Sequence, residues 1–232
     1  KVYLLLYSNS MNVYAAIILC FIPLVTVFIL FRILVSGVTI VKELLACLIG
    51  LIALVPITAL QFFAGNFFVI NGKMAFSVLL RALILYGLIE EGIKGAVLFI
   101  FPSKQVNLKL MVVYSILAGL FLGCFESVIY LVNSIQKASA RGGEVLFNMI
   151  YLRTFTSIVI HSFCSGLLGI FVYSAKKKMP VWSALVYSIG IHGLYDFFAI
   201  MPKPMNYFSY AAILLLMLEW RILYVRLKER ES

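Results

Sequence analysis

Charge is scarce in this chain. Only 12% of its 232 residues are Asp, Glu, Lys or Arg, against about 25% in an ordinary soluble domain, and 64% are hydrophobic. That balance excludes a soluble globular fold and implies an integral membrane protein. Acidic residues are the rarer sign: nine Asp and Glu stand against 19 Lys and Arg, for a net charge of +10. The basic residues fall between and after apolar runs, which reads as membrane topology and headgroup contact, with no nucleic-acid partner implied. Cys20, Cys47, Cys124 and Cys164 all lie inside apolar runs and form no CxxC, so neither a disulfide framework nor a thiolate zinc knuckle is expected. HExxH, GxSxG and a phosphate-cradling glycine loop are absent too. Gly119 and Gly123, four apart in "GLFLGCFE", read instead as a site of close helix packing. The opening "KVYLLLYSNS" has no small-residue cleavage site and is not read as a removable signal peptide.

Long apolar runs are what the chain has in abundance. Set against the polar breaks, they predict seven spans, at about 12–34, 44–66, 74–101, 108–132, 146–174, 180–201 and 207–225. The expected fold is an all-α polytopic transmembrane helix bundle forming one membrane-embedded domain over 1–232, with no internal repeat. Arg32, Lys42, Lys104, Lys109, Lys176, Lys177, Lys178, Arg226, Lys228 and Arg230 fall on one alternating side. Lys1, Lys73, Lys137, Arg141 and Lys203 fall on the other. The richer side is predicted to be cytoplasmic, which puts the C-terminus inside a cell membrane and the N-terminus outside.

Against that apolar background, the ionisable residues within spans carry the information: Arg81, Glu90, Glu91, Lys94, Glu126, Arg153, His161, His192 and Asp196. Each costs about 2.5–3.5 kcal/mol near the bilayer centre on insertion scales, so they must be paired, metal-bound or in contact with water. In "EEGIK", Lys94 is close on the helical wheel to both Glu90 and Glu91. It is expected to pair with one and leave the other pointing into the bundle. His192 and Asp196, at i and i+4 in "HGLYD", share a face. The chain's two histidines, His161 and His192, both sit mid-span. Arg153 is placed to neutralise a carboxylate or anchor its helix, Arg81 to snorkel or pack, and Cys124 and Cys164 to pack.

Two mechanisms suit these residue types. In one, Glu126, His161 and His192 hold a zinc ion, Glu91 is the general base, and Asp196 partners His192 or adds a ligand. In the other, Glu91 activates water without a metal, while His192 and Asp196 position substrate and stabilise the oxyanion. Both hydrolyse an acyl bond within a membrane. A proton- or ion-coupled transporter, or a non-proteolytic immunity-type membrane protein, could carry the same groups. A transporter would show broken helices or inverted repeats, and neither is read here.

The order of "EEGIK", "GLFLGCFESVIYL" (119–131), "RTFTSIVIHSFCSGLLG" (153–169) and "HGLYDF" (192–197) resembles the PrsW family of intramembrane proteases, relatives of the CAAX prenyl-protease and bacteriocin-processing superfamily. The likeness covers residues 74 to 200. It implies cleavage of a single-pass membrane protein, such as an anti-sigma factor. It also implies Glu90, Glu91, Glu126, His161, His192 and Asp196 as the active site. Leu122 and Ser127 stand where the family usually has phenylalanine and often asparagine.

Overall fold

The structure, a computed structural model, describes residues 13–67, 74–102, 106–137 and 151–231. The predicted span starts at 12 and 146, and Lys1, Lys73, Lys104 and Arg141 of the orientation pattern, lie outside the described residues.

Every long element is helical, as expected of chains that must satisfy their backbone hydrogen bonds internally in lipid. Helices α1 (Val13–Leu34) and α2 (Ile40–Phe67) come first. α3 (Ala75–Arg81) runs on into π-helical turns over Ala82–Glu90 and then into α4 (Glu91–Leu98). α5 (Leu108–Lys137), α6 (Ser157–Lys176, entered through a helical turn from residue 151) and α7 (Trp182–Ala199) follow. A short 3-10 turn at Met205–Tyr207 leads to α8 (Phe208–Glu231).

Five stretches among the described residues are long and apolar enough to cross a bilayer: 14–34, 40–66, 108–133, 151–176 and 205–230. Of the expected seven spans, length and hydropathy alone support five. The other two predicted spans are helical, but the polar groups that make them informative dilute them. α3 to α4 changes pitch midway and carries Arg81, Glu90, Glu91 and Lys94, while α7 has 18 residues and includes His192 and Asp196.

α5 and α6 form the centre, each with 78% of its most apolar window buried, whereas the figure for α1 is 11%. α1 is apolar all round and exposes Ile18, Ile22, Val25, Ile29 and Ile33, the surface expected of a helix facing lipid. The central pair approaches closely because Gly119 and Gly123 leave room, as their spacing suggested. A Cβ at Gly119 would lie 2.3 Å from the His161 carbonyl oxygen, and one at Gly123 would lie 3.1 Å from the His161 ring. The π-helical turns and α7 meet in the same manner: a Cβ on Gly87 would be 2.5 Å from the Ile189 carbonyl, and one on Gly193 would be 2.8 Å from the Leu83 Cα. At the lysine-rich end, Lys176 Nζ donates to the Phe101 carbonyl at 2.6 Å and ties α6 to the end of α4.

Gly119→Leu should lower the melting temperature of the purified protein sharply, since overpacking against backbone typically costs about 1–3 kcal/mol or more. Gly190→Ala, where an added Cβ meets nothing within 4 Å, should leave it unchanged or raise it slightly. Thermal unfolding of both variants in one detergent checks the contrast.

Candidate active site

The π-helical turns set the site's geometry. A π turn takes in more residues than an α turn, so side chains after Glu90 are rotated relative to those before Ala82. It also loosens the backbone ladder, and the Leu85 carbonyl accepts a hydrogen bond from Gln61 Nε2 of α2 at 3.1 Å. The same Gln61 nitrogen reaches Glu90 Oε2 at 3.5 Å. Glu90, Glu91 and Lys94 are thereby turned into the bundle, where all three are buried.

Lys94 does not choose between the glutamates, contrary to the one-partner expectation. Its Nζ lies 3.3 Å from Glu90 Oε1 and also in direct contact with Glu91 Oε1. Spacings of four and three residues both bring carboxylates within reach of one ammonium on a helix. It is also 3.5 Å from His161 Nδ1.

The two histidines are used in the same way. His161 from α6 sets Nδ1 2.9 Å from Glu90 Oε1 and Nε2 2.5 Å from Glu126 Oε2 of α5. His192 from α7 sets Nδ1 2.5 Å from Glu91 Oε1 and Nε2 3.3 Å from Asp196 Oδ2, one turn on. Each imidazole therefore spans from one of the paired glutamates, inside, to a second carboxylate farther out. The rings meet edge to face with centroids 5.0 Å apart. Exposure divides the carboxylates sharply: the Glu91 and Glu90 side chains keep 0% and 6%, whereas Glu126 and Asp196 each keep 26%. The cluster is sealed at its glutamate pair and open at Glu126 and Asp196.

Arg153 neutralises the outer edge. Its Nη2 lies 3.0 Å from Glu126 Oε2 and donates to Ser157 Oγ at 2.9 Å, while its guanidinium carbon sits 3.9 Å from the Tyr130 ring centroid. Arg81, by contrast, is exposed at the end of α3. Cys124 and Cys164 are fully buried packing residues with free thiols.

The donor set suits a metal ion. Glu90, Glu91, His161 and His192, all buried, each offer one ligand atom, and these atoms lie within 4.8 Å of one another. Carboxylate oxygen and imidazole nitrogen are the usual partners of zinc and similar divalent ions. Charge agrees. Four carboxylates counted as ionised face two fixed cations, Lys94 and Arg153, leaving a formal −2 with neutral imidazoles that a divalent ion offsets. Glu126, expected among the ligands, is not one of these four; it bonds the far nitrogen of His161, the place from which a carboxylate orients a ligating imidazole. Asp196 stands in the same relation to His192.

Besides Ser157, which bridges Arg153 and Glu126, two contributors to the glutamate pair are not among the residues singled out from the sequence. Ser188 Oγ, fully buried on α7, donates to Glu91 Oε2 at 2.7 Å and lies 3.2 Å from the Cys164 carbonyl. Gln61 is the other. Neither is charged and neither departs from its helix pattern; the sole signal in the sequence is that Ser188 precedes His192 by four residues, on the same face.

The chain's sequence matches the family model described as PrsW family intramembrane metalloprotease over residues 41–220. It is also similar to the protease PrsW of Shouchella clausii (strain KSM-K16), with 26% identity over 190 residues covering 78% of this chain and 80% of that protein. No solved structure matches it.

Ser188→Ala should leave a buried Glu91 oxygen without its donor. Loss of such a supporting bond typically costs about 10–100-fold in activity or metal affinity. Turnover of a membrane-anchored reporter, with metal content measured on the same preparation, checks this; full values for both would remove Ser188 from the site.

Proposed function

The chain belongs to the PrsW family of intramembrane metalloproteases and is an intramembrane protease; on that premise we propose that it hydrolyses a peptide bond of a single-pass membrane protein, such as an anti-sigma factor, at the Glu90–Glu91–His161–His192 cluster. The observation that carries this reading is the gathering of those four buried donors within 4.8 Å, beside two carboxylates that stay partly exposed. The protein sits in a cell membrane with its lysine-rich C-terminal end cytoplasmic. α3 to α4 and α7 cross with the five long helices, which makes seven spans.

Glu90, Glu91, His161 and His192 would hold the ion. Zinc fits these donors, and when bound it supplies Lewis acidity toward the scissile carbonyl and the attacking water. The roles expected of Glu91 and Glu126 change places. Glu91 has no exposed surface, so substrate does not reach it, and it takes its place among the donors that would hold the ion. Glu126 is reached from outside, and its partners Arg153, His161 and Ser157 all lie on Oε2. Its Oε1, which has no hydrogen-bond partner among the described residues, is therefore the oxygen placed to take a proton from water as the water oxygen bonds to the carbonyl carbon. When the C–N bond breaks, that proton passes to the leaving nitrogen. Asp196, at the opposite open edge, holds His192 and borders the substrate path.

Glu91→Gln, His161→Ala and Glu126→Gln should all abolish or severely reduce cleavage, by at least about 10²–10⁴-fold for a lost general base. Metal content separates the roles. Glu126→Gln should keep about one metal ion per chain, and Glu91→Gln should lose it. The reverse outcome restores Glu91 as the base and Glu126 as a ligand. A metal-free wild type that is fully active in chelator would remove the ion from the reaction.

A further inference from the structure

Well away from the glutamate–histidine cluster, a cavity of about 290 Å³ opens between the start of α7 and the end of α8. Val181 and Trp182 wall one side, and Leu223 and Leu227 wall the other. Arg226 and Arg230, one helical turn apart on α8, line it together with Ser183, and among the described residues no acidic side chain does. Trp182 keeps 61% of its surface exposed, and the Lys176–Lys178 run comes just before α7. The groove thus joins a cationic rim to apolar walls at the basic end of two membrane helices, the level at which tryptophan and arginine meet headgroups.

From this arrangement we propose that the groove binds an anionic glycerophospholipid. Arg226 and Arg230 clasp its phosphate, and Trp182, Leu223 and Leu227 cover the glycerol and the first methylenes. Two guanidinium groups a turn apart present forked donors to one phosphate. A zwitterionic lipid carries a cation beside its phosphate, which the paired arginines repel. A free phosphate gains nothing from the apolar walls. Basic pockets between membrane helices are suited to such headgroups. Bound lipid would tie the end of α8 to the start of α7, the helix that carries His192 about 15 Å and Asp196 about 21 Å farther along.

The test uses the full chain purified in neutral detergent. Native mass spectrometry counts retained lipid, and thermal melting is followed with added phosphatidylglycerol, phosphatidylcholine or inorganic phosphate. Wild type should retain one phosphatidylglycerol and melt higher with it, while phosphatidylcholine and millimolar phosphate leave the melting point unchanged. Arg226→Gln/Arg230→Gln should weaken phosphatidylglycerol binding roughly 10- to 30-fold, the strength of two basic contacts to an anionic headgroup. Lys228→Gln, which removes a neighbouring charge outside the groove, should change it less than about twofold. Arg230→Gln alone serves if the double variant does not melt like wild type in phosphatidylcholine. Equal protection by phosphatidylcholine, an equal loss per charge in Lys228→Gln, or saturation by inorganic phosphate would each overturn the proposal.

Discussion

Everything in the bundle is arranged around the need to keep four carboxylates and two fixed cations inside a medium that solvates none of them. An isolated charge there is expensive, and removing one member of a buried pair leaves its partner uncompensated. The solution seen here is mutual: Lys94 serves both Glu90 and Glu91, Arg153 serves Glu126, and each histidine bridges an inner and an outer carboxylate. No single helix could build such a set. The groups come from the π-helical turns and α4, from α5, from α6 and from α7, so the cluster also acts as a polar fastening between helices that have little hydrophobic reason to associate in lipid.

The apolar packing follows from the polar set. For His161 to reach Glu126 at 2.5 Å, α5 and α6 must nearly touch, and Gly119 and Gly123 supply the contact surface where they do. For His192 to reach Glu91, α7 must lie against the π-helical turns, and Gly87 and Gly193 face those contacts. Small residues thus lie next to the charged ones because backbone approach sets the distance between side chains that must bond. The result is graded in exposure. The glutamate pair is closed off, while Glu126 and Asp196 stay partly open to solvent.

Much of the site is legible in the sequence, because charge in an apolar helix is conspicuous. Glu90, Glu91, Glu126, His161, His192 and Asp196 stand out from their neighbours, and all six meet in one cluster. The i, i+4 spacing of His192 and Asp196 translates directly into contact, since a helix repeats its face every 3.6 residues. Gln61 and Ser188 are hidden for the converse reason: uncharged polar residues are unremarkable in a membrane helix, and their importance lies in what another helix brings to them.

The linear order of residues, by itself, settled that this is a helical membrane protein with ionisable groups at mid-span, because hydropathy and helical periodicity are local properties of a chain. Tertiary structure alone decided that Lys94 bridges both glutamates, that the π-helical turns aim them inward, and that Glu126 rather than Glu91 keeps access to solvent. Burial and partnership are relations between helices, fixed by which faces pack together, and no single helix contains them.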